Sequence, residues 1–263
     1  MKYENELKDA ITVAKKAIET IMDFYRNHFE IEIKSDNSPV TDADKASNEL
    51  IYDYLKQRYP SYAFLTEEMS DDLSRLNNDY VWIIDPLDGT EDFIRRDDQF
   101  CINIALVSAH QPVVGVVAIP VTGEIYFAVA TEGSYYLPAG STQPVRIHVN
   151  AKTSDLIQLS SVHHQTVEEI AIFERHRDRI QCLSKVGSAI KACLIARGEA
   201  EVSFRYGSGS KEWDTCAPQL VLTEAGGVYT TSKLKPILYN KEDVYNHDGF
   251  FMLNRLENSD LVD

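Results

Sequence analysis

Basic residues are scarce: 26 Lys and Arg stand against 41 Asp and Glu in 263 residues, a formal net charge of -15. A chain of this sign cannot neutralise a nucleic-acid backbone over a broad surface, which excludes non-specific DNA or RNA binding. A small anionic substrate stays within reach only if metal ions and a few local cations meet it. Cysteine is scarce too. Cys101, Cys182, Cys193 and Cys216 form no C-x-x-C pair, so neither a zinc site nor a disulfide framework is suggested, and reduced thiols in a cytosolic compartment fit. Long apolar runs are missing. Met1-Lys2-Tyr3-Glu4-Asn5-Glu6 has no apolar signal core and no later run reaches membrane-spanning length, so a cytoplasmic protein with no integral membrane segment is expected. No repeat, low-complexity tract or long linker breaks the chain. What is present, 44% hydrophobic and 25% charged residues, suffices for one large core or two modest ones.

Local patterning divides the chain in two. Leu7, Ile11, Ala14, Ile18, Ile21 and Tyr25 recur at helical spacing, and a second helix follows a cap at Thr41 with Ala46, Leu50, Ile51 and Leu55 on its apolar face. From Phe100 the pattern changes to short apolar runs at 101–107, 113–119, 125–130 and 134–137, with Thr122-Gly123 and Glu132-Gly133 at the breaks. That is an antiparallel meander. Beyond it strands at 156–160, 182–186 and 201–205 alternate with helices at 166–177, 188–197 and 213–225, the last ended by Gly226-Gly227, which predicts a smaller α/β unit. The fold class is therefore α/β in the broad α+β sense. Residues 1–150 are expected to form an α+β subdomain, to which the motifs below assign metal binding, and residues 151–263 an α/β subdomain, to which they assign substrate binding, joined near 145–156 as one domain overall.

The chemistry concentrates in Trp82-Ile83-Ile84-Asp85-Pro86-Leu87-Asp88-Gly89-Thr90. The apolar residues read as a buried strand ending at Asp85, and Pro86 fixes the backbone as it leaves the sheet. Asp85, the Leu87 carbonyl and Asp88 then offer oxygen ligands suited to magnesium, which is usually shared between carboxylates and a substrate phosphate. Gly89 permits close approach of a phosphate and Thr90 adds a hydroxyl. Taken alone, the same segment also reads as a solvated Asp-Gly turn. Glu67, in Leu65-Thr66-Glu67-Glu68, precedes Asp85 by a separation that allows adjacent strands. Asp42, Asp44 and Asp214 stand where helices begin, so plain capping explains each of them equally well.

Thr41-Asp42-Ala43-Asp44, Glu67-Glu68, the segment Asp85 to Thr90, and Trp213-Asp214 followed by Glu224-Ala225-Gly226-Gly227 together resemble the signature of the inositol monophosphatase superfamily over nearly the whole chain. The resemblance implies a layered α-β-α-β-α fold and a magnesium-dependent, lithium-sensitive phosphatase. By residue-wise match, Glu67, Asp85 and the Leu87 carbonyl hold one Mg2+, and Asp85, Asp88 and Asp214 hold a second. Asp44 organises a third, weaker ion through water. Thr90 and Glu67 activate a water, Gly89 and Thr90 hold phosphoryl oxygens, and no covalent phospho-enzyme forms.

Ser38-Pro39-Val40-Thr41, Phe93-Ile94-Arg95-Arg96, Asn103-Ile104-Ala105-Leu106, Gly187-Ser188 and Lys191 resemble the 3'(2'),5'-bisphosphate nucleotidase branch of that superfamily. Ser188 and Lys191, three apart on an expected helix, face one way and offer donors for a second phosphate. Arg205, at the end of the following strand, offers planar donors for the same group or a face to stack on a base. His163 falls where the branch places a histidine near the nucleotide, and Asp214 lies at the substrate as well as the metal. Ala189 departs from a pattern in which relatives often carry a second serine. The reading is hydrolysis of the 3'-phosphate of adenosine 3',5'-bisphosphate, a small phosphorylated nucleotide, by a cytosolic monomer or homodimer linked to sulfur metabolism. Some bacterial relatives associate peripherally with the inner membrane, but this chain has no basic amphipathic helix. Competing readings are an inositol or sugar monophosphatase with the same metal site, a non-catalytic nucleotide-binding protein, and an acidic interaction scaffold.

Overall fold

The computed structural model describes residues 2–207 and 209–262. In chain order its elements are α1 (Glu4–Arg26), β1 (Ile31–Ile33), β2 (Pro39–Thr41), α2 (Asp42–Arg58), β3 (Ala63–Thr66), β4 (Tyr80–Asp88), α3 (Thr90–Arg95), β5 (Cys101–Ser108), β6 (Gln111–Ile119), β7 (Glu124–Val129), β8 (Gly133–Leu137), β9 (Val145–Ile147), β10 (Leu156–Ser160), α4 (Val167–Arg175), β11 (Ile180–Lys185), α5 (Ile190–Ala196), β12 (Val202–Arg205), α6 (Glu212–Glu224), β13 (Val228–Thr231) and β14 (Phe250–Leu253). One sheet runs β3-β4-β5-β6-β7-β8-β9, a second runs β11-β10-β12-β14-β13, and β1 pairs with β2 in a small hairpin.

These elements stack in five layers. On one face of the seven-stranded sheet lie α1 and α2, packed on each other and on β4 to β6; on the other lies α6, crossing β4 to β8 beside α5. The five-stranded sheet closes over α5 and α6, and Ile172 of α4 packs on its far side with Leu156, Phe204 and Leu253. Strand alternation explains the stacking. Trp82, Ile84, Ile102, Ile104 and Leu106 face α1 and α2, whereas Val81, Ile83, Cys101, Ala105 and Val107 face the central helices. A sheet buried on both sides needs such doubly apolar strands. Among the described residues no helix is long and apolar enough to cross a membrane.

The meander matches its expected strands to within two residues: Thr122-Gly123 and Glu132-Gly133 fall at two reversals, and Ala109-His110, both at positive φ, make the turn from β5 to β6. Other expectations need correction. The apolar face of α2 is turned toward Ala43, Ser47, Ile51 and Leu55, with Ala46 and Leu50 only half-buried. The helix expected at 188–197 starts only at Ile190, because Ser188 has φ 47, a left-handed backbone that interrupts helix geometry. The second half is not purely parallel: β14 enters antiparallel between β12 and β13, with Phe204 opposite Phe251. The strand expected at 182–186 runs instead as β11 from Ile180, and β4 continues past Asp85 to Asp88.

One close approach fixes α6 on the large sheet. A Cβ built on Gly115 of β6 would lie 2.8 Å from the carbonyl oxygen of Ala217 and 3.3 Å from Leu220 Cβ. Neither backbone can yield cheaply. Gly115→Ala is therefore expected to destabilise the protein by about 1 to 3 kcal/mol through overpacking, read as a lower denaturant midpoint with an unchanged slope.

Candidate active site

The site begins with an irregularity in β4. Asp85 pairs with Asn103 and Asp88 with Cys101, so three steps along β4 match two along β5. In a regular strand residues three apart point to opposite faces. The bulge brings both aspartates to the face of Cys101, toward the central helices, and sends Leu87 the other way into the core with Trp82 and Ile84. Ser47 of α2 pins the bulge by donating to the Pro86 carbonyl at 2.9 Å. Parallel pairing of β3 with β4 sets Thr66 beside Ile84, and the Glu67 amide extends that ladder to the Ile84 carbonyl at 3.2 Å, so Glu67 emerges next to Asp85. Gly89 then turns the chain at φ 96, where a Cβ would meet Gln99 O at 3.1 Å and Phe100 Cα at 3.3 Å.

Asp44 and Asp214 arrive from two helix starts, each at the third helical position. One oxygen of each serves its own helix: Asp44 Oδ2 accepts from the Thr41 amide at 2.8 Å, and Asp214 Oδ2 accepts from the Lys211 amide at 2.8 Å. Capping and site chemistry are thus two uses of one carboxylate. Asp44 Oδ1 accepts from Thr90 Oγ1 at 2.9 Å, so Asp44, itself 1% exposed, acts on the site through Thr90. Glu67, Asp85, Leu87, Asp88, Gly89, Thr90 and Asp214 all line one cavity of about 400 Å³.

These acids crowd together, Asp85 buried and Glu67, Asp88 and Asp214 half-buried, without enough protein cations to balance them. Burial, then the charges of Glu67, Asp88 and Asp214, hold the Asp85 carboxyl well above the usual carboxylate range. Asp214 is pushed up to about 8 by burial and by Asp88 and Glu67. Asp88 is also raised by burial, though Lys191, the Ala189 amide at 2.7 Å, Asn103 and Cys101 oppose the shift. Lys34 reaches in from the β1–β2 hairpin to Glu67 at 3.2 Å and Glu68 at 2.5 Å. An oxygen-only cluster of this kind suits a hard cation.

The same cavity takes in residues expected to hold substrate. Lys191 and Arg205 both line the cavity. Lys191 Nζ donates to the carbonyls of Ser188 at 2.8 Å and Val186 at 3.1 Å, and burial lowers its ammonium, opposed by Asp88. Ser188 lines the cavity but stands before α5, not on its face with Lys191; its Oγ is buried and finds no hydrogen-bond partner among the described residues. Ala189 contributes its amide to Asp88, a contact that needs no side chain. Arg205 donates to the His164 carbonyl. His163 does not line the cavity: its Nε2 lies 2.9 Å from Asp97 and 3.4 Å from Asp92, while His164 takes the cavity-facing place. Two adjacent histidines in a loop carry no periodicity that would tell them apart.

Sequence reasoning missed Lys34, His164 and Glu169. The signal for Lys34 was its place in a hairpin not recognised from three-residue strands. Glu169 follows Thr166 by three, a capping pattern that accounts for a glutamate without any site. Its burial comes from the tertiary fold.

This arrangement, a bulged Asp85–Asp88 turn joined by Glu67 and Asp214 between two sheets, defines a phosphatase class. The chain belongs to the inositol monophosphatase family, whose model matches residues 2–256. Among its relatives, the 3'(2'),5'-bisphosphate nucleotidase CysQ of Aggregatibacter actinomycetemcomitans is 30% identical over 248 residues, 94% of this chain and 91% of that one. The enzyme of the same name from Escherichia coli K12 is 32% identical over 247 residues, 93% and 98% of the two chains. A crystal structure of CysQ from Bacteroides thetaiotaomicron, a bacterial member of the inositol monophosphatase family, superposes with a TM-score of 0.83 at 32% identity, covering 96% of this chain and 98% of that one.

Proposed function

We propose that this protein is a magnesium-dependent phosphatase that removes the 3'-phosphate of adenosine 3',5'-bisphosphate to give AMP and phosphate, in the cytosol. The observation that carries the reading is one cavity lined by both a group of carboxylates and two cations. Glu67, Asp85, Asp88 and Asp214 line it together with two cations, Lys191, whose charge acts on Asp88, and Arg205, at the end of β12. That charge pattern fits a substrate with one phosphate to cleave and another to hold. The names of the bacterial relatives support the same substrate.

Glu67, Asp85, Asp88, Asp214 and the Leu87 carbonyl are the residues that would hold magnesium, and their mutual repulsion is the deficit a divalent cation removes. Bound there, magnesium supplies a water acidic enough to attack phosphorus near neutral pH and a charge for the departing oxygen. The chain does the rest. The Thr90 hydroxyl donates a hydrogen bond to Asp44, which leaves its lone pairs to accept one from the attacking water, and Glu67 receives the proton that water gives up. Gly89 and Thr90 hold the phosphoryl oxygens. Arg205 and Lys191 fix the remaining 5'-phosphate, while Ser188, with its unpaired hydroxyl, donates nearby.

Phosphate release from adenosine 3',5'-bisphosphate and inositol 1-phosphate, each with magnesium, with chelator, and with magnesium plus lithium, tests the reading. A magnesium-dependent, lithium-inhibited preference for the bisphosphate is expected; preference for inositol 1-phosphate would overturn the substrate and keep the site. Arg205→Ala is expected to raise KM for the bisphosphate about tenfold or more while sparing a small monophosphate, because only the former needs the second cation. Equal losses on both would count against a second phosphate site. Arg205 is the better probe because Lys191 also ties down two main-chain carbonyls.

A further inference from the structure

Glu169 lines the same cavity and has no task in the hydrolysis. It is 1% exposed and held from several sides. Its Oε2 accepts from Ser160 Oγ at 2.7 Å, its amide donates to Thr166 Oγ1 at 3.3 Å, and its carbonyl accepts from Gln158 Nε2 at 2.8 Å. The other carboxylate oxygen, Oε1, is buried and accepts no hydrogen bond among the described residues. The two nearby cations are committed elsewhere. Arg205 Nη1 stands 3.9 Å from Oε1, beyond hydrogen-bond reach, and donates to the His164 carbonyl; Lys191 donates to Val186 and Ser188. Buried carboxylate oxygens are rarely left unpaired, because the lost hydration is then not replaced.

We infer that Glu169 Oε1 is a subsite for a neutral hydrogen-bond donor, a ribose 2'-hydroxyl or a base amino group, on the part of the substrate remote from the metal-binding acids. The inference rests on the nucleotide reading above. A phosphate is the wrong ligand for a carboxylate, and Arg205 and Lys191 beside it already offer positive charge. The position fits a nucleoside: Glu169 and Arg205 stand on α4 and the end of β12, whereas the acids come from β3, β4 and α6, with Lys191 between the two groups. A donor docking on Oε1 would orient the nucleoside while Arg205 holds its 5'-phosphate. A site built to bond one donor rejects analogues that lack it, because its own acceptor is then stranded.

The test is calorimetric binding, with magnesium present, of AMP, 2'-deoxy-AMP and inosine monophosphate to the full-length wild type, Glu169→Ala and Glu169→Gln. AMP is not turned over under this reading and carries both candidate donors. The wild type is expected to bind AMP about 10- to 100-fold tighter than one of the two analogues, which identifies the donor, and Glu169→Ala to bind all three within about threefold. Glu169→Gln keeps the volume and an acceptor for Ser160, so its narrowed discrimination gives the same answer if the alanine variant fails to fold. Unchanged ratios in the variants, equal wild-type affinity for all three ligands, or no wild-type binding of AMP would each overturn the subsite. Hydrolysis of the bisphosphate without Glu169-dependent discrimination defeats the subsite alone. Glu169-dependent discrimination without hydrolysis defeats the nucleotidase reading alone.

Discussion

Asp85→Asn is expected to lower magnesium-supported kcat/KM by about a thousandfold or more and, in the same protein, to raise the melting temperature without metal. The two effects share one cause. Asp85 is 1% exposed and faces the charges of Glu67, Asp88 and Asp214. Ionised there, it pays for desolvation and repulsion at once. Asparagine keeps the oxygen that accepts from the Leu87 amide at 3.1 Å, so the bulge survives while one negative charge disappears. Relief of the repulsion contributes about 1 to 2 kcal/mol, or roughly 2 to 8 °C in a chain of this size. The activity loss is larger because, under the proposed function, the lost charge is a metal ligand, and removing even a supporting contact of such a ligand typically costs about 10- to 100-fold. Phosphate release and a melt with chelator decide the matter. A variant with normal activity would remove Asp85 from the metal site. One that melts earlier without metal would show that the carboxylate supports the fold.

Chelator-treated wild type is expected to lose essentially all activity, about a thousandfold or more, and to lose stability as pH rises from about 4 to about 8. Asp214 is pushed up to about 8 from an ordinary value of 3.8. The folded, metal-free protein therefore keeps a proton through a range in which the unfolded chain releases it. Because the folded state binds more protons there, its stability falls with rising pH. The contribution is fully present below the unfolded value and lost as pH passes the folded one. Asp85 and Asp88 shift in the same direction and reinforce it. Magnesium needs the deprotonated acids, so its affinity climbs over the same window. At about a hundred times its Kd it returns about 2.7 kcal/mol, roughly 5 to 10 °C. Melting curves with and without magnesium at about pH 6 and pH 8.5 should diverge at the higher pH. A magnesium shift equal at both, or a metal-free protein that gains stability across this range, would mean that these acids do not titrate as one repelling group.

The sequence by itself determined the parts that depend on neighbours a few residues apart. Apolar spacing in α1, the turns at Thr122-Gly123 and Glu132-Gly133, and the doubly apolar run before Asp85 are local, and each appears in the structure as an element at or near its expected place. The acids Glu67, Asp85, Asp88 and Asp214, picked out by an order along the chain that carried the family resemblance, line one cavity.

Tertiary structure alone decided how those residues face one another. Asp85 and Asp88 share a face only because β5 pairs across a bulge, and pairing between distant strands leaves no periodic trace within either. The place of β14 between β12 and β13, the burial of α5 and α6 between two sheets, and the exchange of His163 for His164 at the cavity are non-local in the same way. Asp44, Asp214 and Glu169 show the limit most clearly. Each stands where a helix cap is sufficient explanation, and only the packing of that helix against the rest of the chain brings Asp44 to Thr90 and Asp214 and Glu169 to the cavity.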